Sequence, residues 1–365
     1  MSIAKPEYSR KLVNKAGKIL TEPLFTEMDK ESAYKIIDNW RAAHNFPLNT
    51  FQTRLRRIAN NIDADCIVAQ RIKRISSIQH KLERFPTMKL AQIQDIGGCR
   101  AILNTIEGVD SLVDTYLERS SRGVKHKLFG NPDDYILNPK ISGYRGVHLV
   151  YSYHSDKATD YDGLKIEIQI RTFLQHAWAT AVETVGTFIK QSLKSSQGEE
   201  DWLRFFKLMG SIMALMEGKP TVPDTADNYG DLQKELAFLQ KKLNVFGHLT
   251  AFRTSLNIFD ENRIKGDEHY FLIELDVQSR RVLVKPYNIK ELNKATEDYL
   301  NLEKRLFESG SSADAVLVST DSLKKLKAAY PNYYLDTELF LEVVKKVVNK
   351  VRVSKPTSIQ GELFK

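Results

Sequence analysis

Lys73, Ser77 and Lys81 stand four residues apart in the stretch RIKRISSIQHK, residues 71–81. On a helix, side chains at i, i+4 and i+8 stack along one face, so two ammonium groups and a hydroxyl form a single rail. A polyphosphate chain suits such a rail, with cationic donors at about 6 Å intervals, the rise of four helical residues. Arg71 and Arg74 flank it. Two carboxylates extend the chemistry: Asp95, ahead of an apolar segment, and Glu167, on the polar face of KIEIQIRT. Neighbouring sheet positions could bring both to one Mg²⁺, which accepts one or two carboxylates together with phosphate oxygens. Taken singly, the rail also reads as a solvated basic face, Asp95 as a turn cap and Glu167 as a solvated strand residue. The loop NPKISGYRGVH adds Lys140, Arg145 and His148 as positive or switchable donors. Two readings of Tyr144 stay open. It is either an exposed ring on which a base stacks, an interaction of about 1–3 kcal/mol, or a partly buried anchor. His148 also reads as an interior residue of the strand it begins, and His176 and Trp178 of QHAWA read as packing.

These side chains need elements to hold them. Ile58, Ile62, Ile72, Ile75, Ile78 and Leu82 recur at helical spacing, which predicts one long helix carrying the rail and ending at Phe85-Pro86. It gathers a local excess of base, with Arg54, Arg56, Arg57, Arg71, Lys73, Arg74, Lys81, Arg84 and Lys89. Residues 1–48 form a helical lead-in stopping at Pro47. IQDIGGCRAILN reads as a loop feeding a buried strand, and GVDSLVDTYLERS as an amphipathic helix. GVHLVYSYH is a strand. KIEIQIRT alternates strictly, placing Ile166, Ile168 and Ile170 on one face and Lys165, Glu167, Gln169 and Arg171 on the other. FLQHAWATAVETVGTFIK is helical. Strands alternating with helices predict a mixed sheet with helices packed on it, an α+β or α/β arrangement.

The clearest break is Gly218-Lys219-Pro220-Thr221-Val222-Pro223. The boundaries that follow are a first domain over 1–217, a helical linker over 218–265 with a leucine stripe (Leu232, Leu236, Leu239, Leu243), and a small α+β domain over 266–365. In the last, HYFLIELDVQSRRVLVKPYN predicts a hairpin turning at 278–280, followed by a helix, the strand AVLVST and two short helices. A chain of 365 residues is long enough for two such cores. Cys66 and Cys99 are the only cysteines, which excludes a disulfide framework or zinc cluster and predicts two buried thiols. The N-terminal segment lacks the apolar core of a secretory signal, and no apolar run reaches the ~18 residues of a membrane span. A cytoplasmic protein with no membrane partner is expected. The net charge of +8 suits phosphate-bearing partners and does not separate a nucleotide from a nucleic acid.

Four ordered motifs now come together: Arg71-x-Lys73-x-x-x-Ser77-x-x-x-Lys81, Asp95-x-x-x-x-Arg100, Tyr135 leading to Pro139-Lys140-x-x-Gly143-Tyr144-x-x-x-His148, and Glu167-x-Gln169-x-Arg171-Thr172. Across roughly residues 50–215 they resemble the synthetase domain of the RelA/SpoT family. The resemblance implies a nucleotidyltransferase-like mixed sheet flanked by helices, and an ATP-dependent pyrophosphokinase. A ribose 3′-hydroxyl would attack the β-phosphorus of ATP and AMP would depart. By the same resemblance Arg71 would pack on adenine, Lys73, Ser77 and Lys81 would hold the ATP phosphates, and Arg100 would contact phosphate. Asp95 and Glu167 would bind Mg²⁺, with Glu167 also taking the 3′-hydroxyl proton. Lys140, Tyr144, Arg145, His148, Gln169 and Arg171 would make the acceptor side. Members making guanosine alarmones commonly read NGYRSLH in the acceptor loop; here it reads SGYRGVH, so Ser142 and Gly146 leave the acceptor open. No His-Asp pair marks a hydrolase domain.

The overall plan resembles the CapRel-type fused toxin–antitoxin members of that family. There a C-terminal domain inhibits a toxic synthetase and senses a phage protein, the acceptor is the 3′-CCA end of tRNA, and a Tyr-x-x-Tyr element occupies the ATP site. Tyr330-Pro331-Asn332-Tyr333 is the corresponding element here, and its tyrosines also read as core or turn anchors. Three functions are expected in turn: an autoinhibited tRNA pyrophosphokinase in phage defence, a small alarmone synthetase using GDP or GTP, and an inactive nucleotide- or RNA-binding module.

Overall fold

The computed structural model describes residues 4–22, 28–121, 125–188, 200–254, 257–259, 268–276, 278–311, 313–319, 323–331 and 337–349. Three helices come first: α1 (Arg10–Gly17), α2 (Lys30–Ala43) and α3 (Asn45–Ile62). Ser9 and Asp29 cap the first two by accepting from the amides of Leu12 and Ser32. Pro47 does not stop the lead-in. It sits in the first turn of α3, where a missing amide costs nothing, and the break falls at His44.

The long basic helix divides into three elements. Asp63 ends α3, and its side chain accepts from the amides of Asp65 and Asn104, turning the chain. Strand β1 (Ile67–Ile72) follows, then helix α4 (Ile75–Arg84). Lys73 therefore stands between strand and helix, and only Ser77 and Lys81 share a helical face. The β-branched pair Ile67-Val68 is buried and favours the strand.

Strand β2 (Gly97–Leu103) and helix α5 (Ile106–Ser121) match the sequence reading. Two short strands, β3 (Lys127–Leu128) and β4 (Asp133–Asp134), precede β5 (Val147–Ser152) and β6 (Lys165–Thr172). In β6, Ile166, Ile168 and Ile170 are buried on one face, as the alternation requires. Helices α6 (Phe173–Phe188), α7 (Glu200–Met216), α8 (Tyr229–Lys242) and α9 (Val245–Thr254) come next. The C-terminal part supplies β7 (Asn257–Phe259), the hairpin β8 (Glu268–Asp276) and β9 (Arg281–Asn288), α10 (Leu292–Glu308), β10 (Asp314–Ser319), α11 (Leu323–Ala329) and α12 (Glu338–Val348).

The C-terminal segment has the expected α+β make-up, yet it does not stand apart. Among the described residues the strands form one mixed sheet ordered β3-β5-β6-β2-β1-β10-β8-β9-β7, with β4 also pairing β5. β2 and β6 are parallel, while β1 pairs antiparallel with β2 and with β10 through Arg71 and Val318. Helices α3, α5 and α10 cover one face, burying Leu55, Leu112 and Tyr299 in a shared core. On the other face, α11 lies over β1, where Leu326, Ala329 and Tyr330 join Ile67, Ile102 and Phe271. Helices α6 to α9 and α12 make a third cluster, in which Leu232, Leu236 and Leu239 of the leucine stripe are buried. Residues from both sides of the expected domain boundary contribute to all three. Both cysteines are buried, and burial pushes the Cys99 thiol up. No helix among the described residues is long and apolar enough to cross a membrane.

Candidate active site

Register on the central strands decides which side chains meet. Arg71, Gly98 and Glu167 lie in one row across β1, β2 and β6, Ala69, Arg100 and Gln169 in the next, and Ile67, Ile102 and Arg171 in the third. With the alternation of the pleat, Arg71, Arg100, Glu167, Gln169 and Arg171 share one face. Gly98 separates Arg71 from Glu167, and a side chain begun there would meet nothing within 4 Å, so this glycine leaves a floor open. Above it lies a partly open cavity lined by Arg71, Lys73, Asp95, Gly98, Cys99, Arg100, Glu167, Gln169 and Tyr330.

Asp95 sits between two lysines: Lys73 Nζ donates to Oδ2 at 2.7 Å and Lys81 Nζ to Oδ1 at 2.8 Å. Burial opposes ionisation of this carboxyl, but the two ammonium charges override it and hold it far below the usual carboxylate range. The basic rail thus converges on a carboxylate. Ser77 stands on α4 one turn ahead of Lys81.

Glu167 is likewise fully engaged. His148 Nδ1 donates to its Oε1 at 3.0 Å and Gln169 Nε2 to its Oε2 at 2.7 Å, while His148 Nε2 bonds the Tyr144 hydroxyl at 2.6 Å. Burial again opposes the charges, and the pairing prevails: Glu167 is lowered by His148, and His148 is raised to about 9 by Tyr144 and Glu167. With its folded pKa above the unfolded value, His148 contributes stability that is complete below about pH 6.5 and is lost as pH rises through about 9, on the order of 2–3 kcal/mol. Urea midpoints taken from pH 6 to 9.5 should fall across that window, and His148→Gln should flatten the fall. A wild-type midpoint that is level over the window would remove the charged pair.

Tyr144 is not the exposed stacking platform that one sequence reading allowed. It is 4% exposed, edge-on to Tyr135, His148 and Trp178, with the Lys140 ammonium 5.4 Å from its ring centroid. The loop is drawn inward at Gly143, whose φ of +94° favours glycine and whose backbone packs against Gly210 of α7, where an added Cβ would come within 2.8 Å of the Gly143 carbonyl. Arg145, assigned to the acceptor side, also turns away from the cavity. Its Nη1 donates at 2.8 Å to Glu217, which further accepts from Thr172 Oγ1 at 2.5 Å and Gln175 Nε2 at 2.9 Å. Glu217 carried no role in the sequence. A lone carboxylate closing the apolar run LMGSIMALM was the available signal.

Arg100 and Arg171 bring the C-terminal segment onto this face. Arg100 Nη1 donates to the Ala329 carbonyl at 3.1 Å, and its guanidinium lies 5.6 Å from the Tyr330 ring centroid. Arg171 Nη2 donates to His176 Nδ1 at 2.5 Å, and His176 Nε2 donates to the Ala328 carbonyl at 2.9 Å. His176 is therefore a bridge between segments as well as a packing residue. Arg100 Nε and Arg171 Nε and Nη1 are buried without a hydrogen-bond partner among the described residues, donors suited to an anion. Tyr330 is 2% exposed and donates to the Gln70 carbonyl at 2.9 Å; Tyr333 lies outside the described residues.

Magnesium fits this donor set in one manner. Asp95 and Glu167 line the same cavity, and the charge of Asp95 works against that of Glu167, a repulsion a divalent cation would relieve. No group of three or more His, Cys, Asp or Glu among the described residues is placed to hold a metal, so phosphate oxygens would complete the shell.

Residues 70–187 match the region found in RelA / SpoT proteins. The chain is 31% identical over 115 residues to the GTP pyrophosphokinase YjbM of Bacillus subtilis (strain 168), a match covering 31% of this chain and 52% of that protein. It is 34% identical over 116 residues to YwaC, a GTP pyrophosphokinase of the same organism, covering 30% and 52%. It thus spans about half the length of the curated relatives it matches. Among solved structures, similarity extends to small alarmone synthetase 2 from Bacillus subtilis (TM-score 0.42, 23% identity, 49% of this chain and 93% of that one). Small alarmone synthetase 1 from the same organism, bound to its product pppGpp, gives a TM-score of 0.40 at 23% identity, with 52% and 94% covered.

Proposed function

We propose that the protein is an ATP-dependent pyrophosphokinase that moves the β,γ-pyrophosphate of ATP to a ribose 3′-hydroxyl and releases AMP. The observation that carries this reading is the convergence of Asp95 and Glu167 with Arg71, Lys73 and Arg100 around one cavity. In the reaction the 3′-oxygen bonds to the β-phosphorus, and the bond from that phosphorus to the α–β bridging oxygen breaks. AMP leaves with that oxygen and the hydroxyl proton passes to Glu167. Lys73 and Lys81 exchange Asp95 for phosphate oxygens, Ser77 adds a neutral donor, and Arg71 packs on the adenine. Asp95 and Glu167 would hold magnesium, which supplies charge neutralisation on the phosphates. Such transfers depend on positioning and electrostatics rather than on a covalent protein nucleophile, and this set of side chains can supply both.

Tyr330 supports a closed resting state. It lines the nucleotide cavity beside Arg100 and is anchored to the β1 backbone, so ATP would have to displace it. A partner that binds the C-terminal segment and withdraws this tyrosine would switch the enzyme on, and a phage protein is the trigger in the CapRel-type reading. In that reading the acceptor is the 3′-CCA end of tRNA, whose pyrophosphorylation blocks translation; the net charge of +8 suits a polyanion. The names of the relatives, GTP pyrophosphokinases, favour the second reading, a synthetase of (p)ppGpp from GDP or GTP.

One experiment separates them. The full chain and its Tyr330→Ala variant are given ATP labelled at the γ-phosphate, with deacylated tRNA or GDP/GTP as acceptor. Tyr330→Ala is expected to raise transfer about tenfold over the full chain, provided the bulky ring is the obstruction. Label on tRNA that is lost with its terminal adenosine establishes the tRNA reading, and label on guanosine nucleotides alone establishes the alarmone reading. Equal rates for both proteins would make Tyr330 a core residue without control over the site. No transfer from either would leave a nucleotide- or RNA-binding module.

A further inference from the structure

Helix α4 begins without help from its own sequence. A helix start leaves amides needing acceptors, and Arg74 at the N-cap position provides no side-chain cap. The missing acceptor comes from α10, 228 residues further along: Glu303 Oε1 accepts from the Ile75 amide at 2.8 Å. The other carboxylate oxygen accepts from Arg41 Nη2 at 2.5 Å, and Arg41 Nε donates to the Lys73 carbonyl at 3.1 Å. Tyr299 closes the group, accepting from Arg41 Nη2 at 2.9 Å and donating to Glu303 Oε1 at 3.2 Å. Arg74, between the two gripped peptides, pairs with Asp314 of β10 at 2.5 Å. Three consecutive residues are therefore fixed from α2, β10 and α10, and two of those elements belong to the C-terminal segment.

Arg41 is wholly buried and Glu303 nearly so. Apolar side chains of similar volume usually stabilise such a place as well as a buried ion pair does, so stability alone gives no reason for these charges. What the pair adds is aim: a carboxylate at a helix start, favoured by the dipole, and a guanidinium on the preceding carbonyl. The backbone so gripped is the one that presents Lys73 and leads into the helix bearing Ser77 and Lys81.

From this geometry we infer that Arg41, Tyr299 and Glu303 are positioning residues for the phosphate-binding lysines, so that α10 is a working part of the nucleotide site while α11 covers it. The inference rests on the pyrophosphokinase reading. Its test uses the full chain in a Tyr330→Ala background, which opens the cavity, with a non-hydrolysable ATP analogue as the probe in calorimetry. The paired change Arg41→Met with Glu303→Met removes both buried charges of the clamp together; Asp38, which also pairs with Arg41 Nη1 at 3.3 Å, is changed to Asn in the same protein so that its carboxylate is not left unpaired. This variant should bind the analogue about tenfold more weakly, and Glu303→Gln, which keeps an acceptor oxygen, should fall between. Hydrogen exchange should quicken at residues 75–78 and hold steady in β8 and β9. Unchanged affinity in the paired variant overturns the inference, as does a loss of affinity with exchange raised throughout the chain, the mark of a merely structural pair. Failure of the background protein itself to bind the analogue overturns the nucleotide reading, and this inference with it.

Discussion

Glu167→Gln should abolish pyrophosphate transfer, with kcat falling about 10³-fold, the contribution of a well-placed general base and one side of a metal site. The amide keeps the volume of the carboxylate, so the fold should survive. Its geometry is compromised in one informative way. Both oxygens of Glu167 now accept hydrogen bonds, one from His148 and one from Gln169. An amide has one oxygen, so one of these donors must turn or lose its partner. With the negative charge gone, His148 loses an opposing charge that holds its imidazolium, and its pKa should drop from about 9. Two measurements check this: kcat and KM on the Tyr330→Ala background, and the His148 titration by NMR. A variant retaining more than about a tenth of the turnover would dismiss Glu167 as the base. A KM increase at constant kcat would make it a binding group instead.

Glu217→Ala should cost about 3–5 kcal/mol of stability, a large fraction of what holds most domains together. Both partners of the Arg145–Glu217 pair are nearly inaccessible, with 2% and 5% of the side-chain surface exposed. Removing the carboxylate leaves a buried guanidinium without its counter-charge and takes the acceptor from Thr172 and Gln175 as well. Chemical denaturation of the two single alanine variants and the double variant gives the coupling energy directly. The double should be little worse than either single, because the second truncation removes the charge that the first left unpaired. If Glu217→Ala loses less than about 1 kcal/mol, the pair is ornamental and Arg145 returns as a candidate for the acceptor.

These two residues also mark how far the sequence could be read. Glu167 was visible because a strand of period two forces its face: the isoleucines of KIEIQIRT had to point into the core, and Glu167 and Gln169 had to point away. The hairpin turning at 278–280, the helix now called α10 and the strand AVLVST were legible for the same reason, since their patterns have no close competitor. Strand β1 was hidden by coincidence. The isoleucines at 58, 62, 72, 75 and 78 keep helical phase across a break, so a strand inserted between two helices read as more helix. Asp63 and Asp65, turn formers ahead of a β-branched pair, were the overlooked signal. Tyr144 stayed open between an exposed ring and a buried anchor, and the burial of Arg145 was not foreseen, because loop residues show no periodicity from which burial can be inferred. The pairings of Glu217, Arg41 and Glu303 were beyond reach, although Glu217 itself stood out as a lone carboxylate closing an apolar run. Each acts through a partner distant in sequence, and pattern within a window carries no trace of a pairing over 72 or 262 residues.

The position of β1 also sets a schedule for biosynthesis. One of its neighbours, β2, follows within a few turns of chain, but the other, β10, emerges from the ribosome roughly 250 residues later, on the order of ten seconds to a minute of synthesis at the usual rate. Throughout that interval the nascent chain displays an unpaired, apolar strand edge, the kind of surface that recruits chaperones or a neighbouring nascent chain. The same delay governs chemistry, because Tyr330 and Glu303 arrive with that last segment. A polysome carrying unfinished copies would hold proteins whose cavity still lacks Tyr330 and whose helix α4 still lacks the acceptor from Glu303. The interval before the final strand docks is thus the time in which quality control matters most.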